Sequence, residues 1–220
     1  MKPYRSHRLL LQIGMIAPVF AFIAVALAVL AYPGFNHARQ YLSELGGVHA
    51  RHPEIFNFGV VISGIGAGLG GIGFALAILA LGGGRLPAFV TGLCFILAGV
   101  GMVIASIYPW PDPRHLAINL GLGIQLAPLA MLWGFRRTPG LSGLRTFLAL
   151  VFVAMAILTV LTKHLIFKGM VNDFNVGWWE RAFAFVLVGW TGVAAYVLER
   201  RLLRLAVESE VLEGASGHQN

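Results

Sequence analysis

Six residues from four separate segments could carry chemistry in this chain: Glu44, Asp112, His115, His164, Glu180 and Arg181. Histidine nitrogens with carboxylate oxygens form the usual donor set for a divalent cation such as zinc. His115, His164, Asp112 and Glu44 are the candidate ligands. A metal there would lower the pKa of a bound water toward about 7 and make it a nucleophile. Ser43, Glu44, Asp112, His115, Glu180 and Arg181 complete the candidate catalytic set. On this reading the chain is a metal-dependent lipid or amide hydrolase.

Each of these residues also has a plainer role. Ser43-Glu44 falls at the end of a short helix over 36–45, stopped by Gly46-Gly47. Asp112 precedes a helix start and can cap it. His115 sits one turn above Asn119, at a membrane boundary. Glu180 complements the N-terminus of the last helix. Arg181 is expected to pair with an acid from another loop, because a lone charge near hydrocarbon is costly, and Glu180 or Glu44 is expected to pair with Arg181 or Arg114. The chain lacks His-Glu-x-x-His, paired cysteines and Gly-x-Ser-x-Gly. Facing histidines at membrane depth, which haem ligation needs, are also missing.

The elements that position these residues are apolar. The chain has 220 residues, 58% hydrophobic and only 11% charged, with mean hydropathy +0.79. A soluble domain carries roughly 25% charged residues, so this surface is built for lipid. A helical crossing needs about 20 apolar residues. Such runs fall at 9–32, 56–81, 86–107, 116–135, 147–167 and 182–198. The expectation is an all-α integral membrane protein, a six-transmembrane-helix bundle over 1–204 with a polar cytoplasmic tail over 205–220. The first run is too long for a signal-peptide core.

Basic residues set the orientation. Lys2, Arg5, Arg8, Arg85, Arg136, Arg137, Arg145, Arg200, Arg201 and Arg204 fall on one side of the alternating topology. Arg39, Arg51, Arg114, Lys163, Lys168 and Arg181 fall on the other. That bias predicts both termini in the cytoplasm of a multi-pass plasma-membrane protein. It accounts for the net charge of +7 without a nucleic-acid partner and makes membrane lipids the expected one. The outer side then holds five of the seven histidines (His37, His49, His52, His115, His164) and five of the nine acids (Glu44, Glu54, Asp112, Asp173, Glu180). This is why the candidate site belongs there.

The second span carries seven glycines between Gly59 and Gly73. Gly64/Gly68 and Gly66/Gly70 each share a helix face, where small residues let two backbones approach. Gly92, Ala98, Gly99 and Gly101 answer from the third span across the short turn 82–85, which predicts a tight antiparallel hairpin. Gly68→Leu should then force the helices apart, whereas Gly83 should tolerate change. Tyr32, Tyr108, Trp110, Trp178 and Trp179 mark the outer interface and Trp133 the inner one. Cys94, the single cysteine, reads as a packing residue.

Three landmarks together point to a family. Tyr41-Leu-Ser-Glu-Leu-Gly46 precedes the glycine-rich span, Tyr108-Pro109 is followed by Asp112 and His115, and Gly177-Trp-Trp-Glu-Arg181 opens the last span. The chain resembles, over about 10–200, the bacterial and archaeal family called domain of unknown function 998. Here Trp110-Pro111 widens the segment before Asp112. More distantly, Ser43-Glu-Leu-Gly46 followed by His52-Pro53-Glu54-Ile-Phe56 is similar to eukaryotic Frag/DRAM/Sfk membrane proteins, a likeness that implies lipid handling. Two readings remain: a non-enzymatic, lipid-interacting membrane protein closed by its outer polar cluster, and the metal-dependent hydrolase. A transporter would call for intramembrane charges, and these span interiors hold almost none.

Overall fold

The computed structural model describes residues 4–162 and 169–216, with side chains through Val211. Helix dominates, and no strand occurs among the described residues. The helices are α1 (Arg5–Leu30), α2 (Pro53–Ala80), α3 (Arg85–Ile107), α4 (Ala127–Gly134), α5 (Ser142–Thr162) and α6 (Val176–Ser216). Two 3-10 helices, Leu42–Gly46 and Pro113–Gln125, complete the chain order. The second of these runs into α4, and Pro113–Gly134 together makes the fourth of six segments apolar and long enough to cross a membrane. The chain is therefore an all-α, six-span membrane bundle. An even number of crossings puts both termini at one end, the terminal end. The opposite end, which carries the loop before α2, is the cap end.

Each helix packs on its neighbours in sequence, and α6 returns against α1 and closes the ring. The core holds Phe74 of α2, Phe95 of α3 and Trp190 of α6 in mutual ring contact, 5.0–6.3 Å between centroids. Below them Leu11, Ile78, Met131, Phe135, Leu148, Leu198 and Leu202 are fully buried. These seven lie toward the terminal end, so the large buried side chains gather there.

Glycine places the first three helices. A Cβ on Gly70 would stand 2.6 Å from the Cα of Gly14, and one on Gly99 would collide with the carbonyl of Gly64. Gly59, Gly66, Gly70 and Gly73 face α1, while Gly64 and Gly71 face α3. Helix α2 thus carries two glycine faces and is clasped on both sides. The expectation about Gly68 is corrected: a Cβ there meets nothing within 4 Å. Gly83 is the crowded position, with Ile78 Cγ2 at 2.5 Å and the Gly134 carbonyl at 2.8 Å. The pairing of glycines four apart identified a face but not which of two faces each glycine serves.

The fourth and fifth spans also differ from expectation. The fourth opens as 13 residues of 3-10 helix, where runs beyond 3–4 residues are uncommon. Gly121 and Gly123 weaken α-helix there, and the segment lies so close to α3 that a Cβ on Gly101 would be 2.5 Å from the Ala117 carbonyl. Its rise of about 2.0 Å per residue stretches the crossing. Helix α5 begins at Ser142, five residues before the apolar run. Arg145 therefore lies in its first turn, and its Nη1 donates to the carbonyls of Phe135, Arg136 and Thr138. These carbonyls belong to the turn that follows α4, so the side chain ties that turn to α5. Helix α6 runs unbroken past residue 204, 41 residues in all, about 60 Å and far longer than one crossing.

One ion pair bolts the ring shut at the terminal end. Arg8 of α1 donates from Nε and Nη2 to Glu199 Oε1 of α6 at 2.9 and 2.8 Å, and Gln12 Nε2 reaches the same oxygen at 3.2 Å. Glu199 is buried. Removing the carboxylate strands a partly buried guanidinium. Glu199→Ala should therefore cost about 2 kcal/mol, less than a fully buried pair because Arg8 keeps some solvent contact. Arg8→Met with Glu199→Leu should recover much of that loss in thermal melts in detergent. A double variant as unstable as the single one would refute the account. In the same assay Gly70→Leu should lower the melting temperature strongly, in the range of overpacking costs of about 1–3 kcal/mol. Gly68→Leu should stay near wild type. Equal melting temperatures for the two would refute the assignment of faces.

Candidate functional site

The chain from 31 to 52 folds back over the cap end. Asn36 Oδ1 accepts from the amides of Ala38 and Arg39, an Asx turn, and Gln40 Oε1 accepts from the Asn36 amide at 2.7 Å. Tyr41 then opens the 3-10 turn Leu42–Gly46. Glu44 Oε1 accepts from the Tyr41 amide at 2.8 Å, and its Oε2 accepts from Gln40 Nε2 at 3.0 Å. Leu45 is 1% exposed and plugs the bundle from above. Asn57 Nδ2 donates to the Gly46 carbonyl at 3.0 Å and ties the turn to α2.

Helix α6 holds the other side of this cap. Gly177 N donates to the Ala38 carbonyl at 2.8 Å. Glu180 Oε2 accepts from the Leu42 amide. Arg181 Nη1 donates to the carbonyls of Gln40 at 3.0 Å and Gly177 at 2.6 Å. Its guanidinium lies 5.2 Å from the Phe35 ring centroid. Gly177 is required by this contact: a Cβ would press on the His37 carbonyl, the Gln40 carbonyl and Arg181 Nη1, all within 2.8 Å. His37 stacks on Trp178 at 5.9 Å, so that tryptophan does more than mark an interface. Partial burial, then Glu180, Asp173 and Glu44 facing the ring, push the Tyr41 phenol up.

The candidate residues therefore fall into two groups. Ser43 and Glu44 lie in the cap turn, partly buried, close to Glu180 and Arg181. Asp112 and His115 belong to the neighbouring loop after α3. The two loops touch at Gly47, where a Cβ would be 2.9 Å from the Trp110 carbonyl. Asp112 takes two hydrogen bonds from the Arg114 side chain, at 3.0 and 2.7 Å, and one from its amide at 2.8 Å. Those donors hold the Asp112 carboxyl down at about 2. His115 Nδ1 lies 2.9 Å from the Ala105 carbonyl and 3.2 Å from that of Tyr108. A carbonyl can only accept, so Nδ1 carries the proton and Nε2 is left with a free lone pair in the neutral ring.

Two expectations are corrected. Arg181 was expected to pair with an acid and instead donates to backbone carbonyls, with Glu180 and Glu44 acting on it at longer range. Arg114 pairs with Asp112, not with Glu44 or Glu180. The proposed zinc ligand His164 lies outside the described residues. Among the described residues, no three His, Cys, Asp or Glu side chains are gathered as metal ligands. Asp112, His115 and Glu44 each have the other partners just named. Gln40, Asn57 and Gly177 were not singled out as site residues. Their signal was a polar residue at a span boundary and a glycine opening a helix. Glu199, the single acid beside Arg200, Arg201 and Arg204 of α6, was a clearer one.

Glu180 provides the test of this geometry. Glu180→Ala should leave the Leu42 amide without its partner, a loss of order 1 kcal/mol. Hydrogen exchange at 40–46 should accelerate several-fold while the bundle helices keep their protection. Unchanged exchange would mean that the latch holds nothing.

No curated protein and no solved structure matches this chain. The sequence model of the family described as "Protein of unknown function (DUF998)" matches residues 15–197, a stretch that takes in the cap, the Asp112 loop and the opening of α6. The chain belongs to that family.

Proposed function

We propose that this protein is a lipid-interacting, multi-pass protein of the plasma membrane with both termini in the cytoplasm, and that its cap seals the outer end of the bundle without catalysing a reaction. One observation carries the reading. The polar atoms of Glu44, Glu180, Arg181 and Gln40 bind the backbone of the cap itself, while open apolar grooves run between α1 and its neighbours α2 and α6. The arginine excess at the terminal end supports the orientation.

The metal-dependent hydrolase remains the second reading, and the His115 tautomer favours it. An Nδ1–H fixed on a carbonyl is how proteins orient a metal-ligating or basic Nε2.

Metal analysis and lipid titration separate the two. Purified wild type and His115→Ala should both lack stoichiometric zinc, and added phospholipid should raise the melting temperature of both, as any ligand of the native state does. Stoichiometric zinc that disappears in His115→Ala would replace this reading with the hydrolase. For orientation, cysteines at His49 and Asn172 in a Cys94→Ser background should label from outside intact cells, and one at Arg137 only after permeabilisation. Labelling of position 49 from the cytoplasm alone would invert the topology.

A further inference from the structure

The groove between α1 and α2 differs from the one between α1 and α6 at its upper rim. It is lined by Phe20, Ile23, Ala24 and Leu27 of α1 and by Ile55, Phe58 and Gly59 of α2, and encloses about 470 Å³. Its floor is the Gly59–Ala24 contact, where a Cβ on the glycine would strike Ala24. That contact is too narrow to fill the space between the larger side chains on either side. Glu54 is the remaining lining residue and the only charged one. It sits in the first turn of α2, at the cap end, with its side chain 68% exposed. His52 Nδ1 lies 3.0 Å from Glu54 Oε1, and Arg51, three residues before Glu54, is also exposed.

We infer that this groove is a lipid site: it holds one acyl chain of a phospholipid whose primary ammonium headgroup is bound by Glu54. The inference rests on the lipid-interacting reading and adds a site and a headgroup class to it. Charge complementarity selects the occupant. A chain in the groove brings its headgroup to the membrane boundary, level with the first turn of α2. A carboxylate there attracts a cation, which the headgroup of phosphatidylglycerol does not carry. Arg51 at the same rim suits the phosphate of a zwitterionic lipid. A primary ammonium is favoured over a quaternary one because it can donate hydrogen bonds to Glu54. Quaternary ammonium is instead recognised by aromatic cages, and the lining ring closest to the rim, Phe58, is a full turn below Glu54. A phosphatidylethanolamine fits these terms; phosphatidylcholine and phosphatidylglycerol each fail one.

The test uses full-length protein reconstituted into vesicles of equal parts phosphatidylethanolamine, phosphatidylcholine and phosphatidylglycerol. It is then extracted in mild detergent, and retained lipids are counted by mass spectrometry. Wild type should retain the ethanolamine lipid over the choline lipid by about fivefold, the order of one exposed ion pair. Glu54→Gln should bring the two to parity without changing total lipid. Ile23→Trp, which fills the groove, should lower retention, whereas Ile96→Trp on the lipid face of α3 should not. Parity in wild type, or a preference that survives Glu54→Gln, would overturn the headgroup assignment. If Ile23→Trp still lowered retention in that case, the lipid-interacting reading would stand without it. A preference unaffected by Ile23→Trp would overturn the groove.

Discussion

Backbone contact between α2 and its two neighbours is the constraint on which the rest of this structure depends. In a bilayer the apolar effect does not drive helices together, since lipid tails are as apolar as leucine. Association has to come from close packing and polar ties. Helix α2 supplies the first with glycines on two faces, and the Gly14–Gly70 and Gly64–Gly99 approaches leave no room for a single methyl group. Contacts that tight fix rotation and depth together. Once α1 and α3 are set against α2, the positions of Glu54, of the Asp112 loop and of the Arg8 side chain follow.

The two ends of the bundle solve different problems. At the terminal end the core is filled with large side chains, and two of the charges tie elements together: Arg8 with Glu199, and Arg145 with the carbonyls of the turn after α4. At the cap end the buried residues of α1, α2 and α3 are small, among them Ala24, Ala28, Gly59, Ser63 and Ala105, which leaves little bulk to exclude water from above. A folded loop supplies it through Leu45. A loop near hydrocarbon must satisfy its own backbone, and Glu44, Glu180, Asn57 and Arg181 do so for residues 40–46. The polar richness of this end is first a consequence of closing a thin core with irregular chain.

Much of this was legible in the sequence, and what was not had physical reasons. Apolar length announces a span, and six spans were readable because lipid leaves few alternatives. The ends were less so: Arg145 looked like a loop residue because its charge ended the apolar run, yet a long side chain can start a helix while its head reaches a neighbour's carbonyls. Glycine spacing revealed that α2 packs closely but not that it does so twice, since one periodicity serves both faces. For the cap, the segments holding Glu44, Glu180 and Arg181 were identified and do meet, but their partners were misjudged. Charged residues were expected to seek opposite charges. In a loop with many unpaired amides and carbonyls, the backbone offers more partners than side chains do. His115 found one there as well.

Arg181 shows how far that logic goes. Its Nη1 is fully engaged, while its Nη2 is buried with no hydrogen-bond partner. A guanidinium in that state would be expelled to water if nothing balanced its charge. Glu180 beside it and Glu44 across the cap are the balancing acids, with the face of the Phe35 ring adding a further attraction. The same two carboxylates hold the amides of Tyr41 and Leu42. Each acid is thus needed twice, as hydrogen-bond acceptor for the loop and as counter-charge for the arginine. Losing either acid would therefore release the loop and unbalance the arginine together. His115, anchored from Nδ1 with Nε2 free, is under no such double demand. Among the described residues that first suggested chemistry, its geometry leaves an atom available for it.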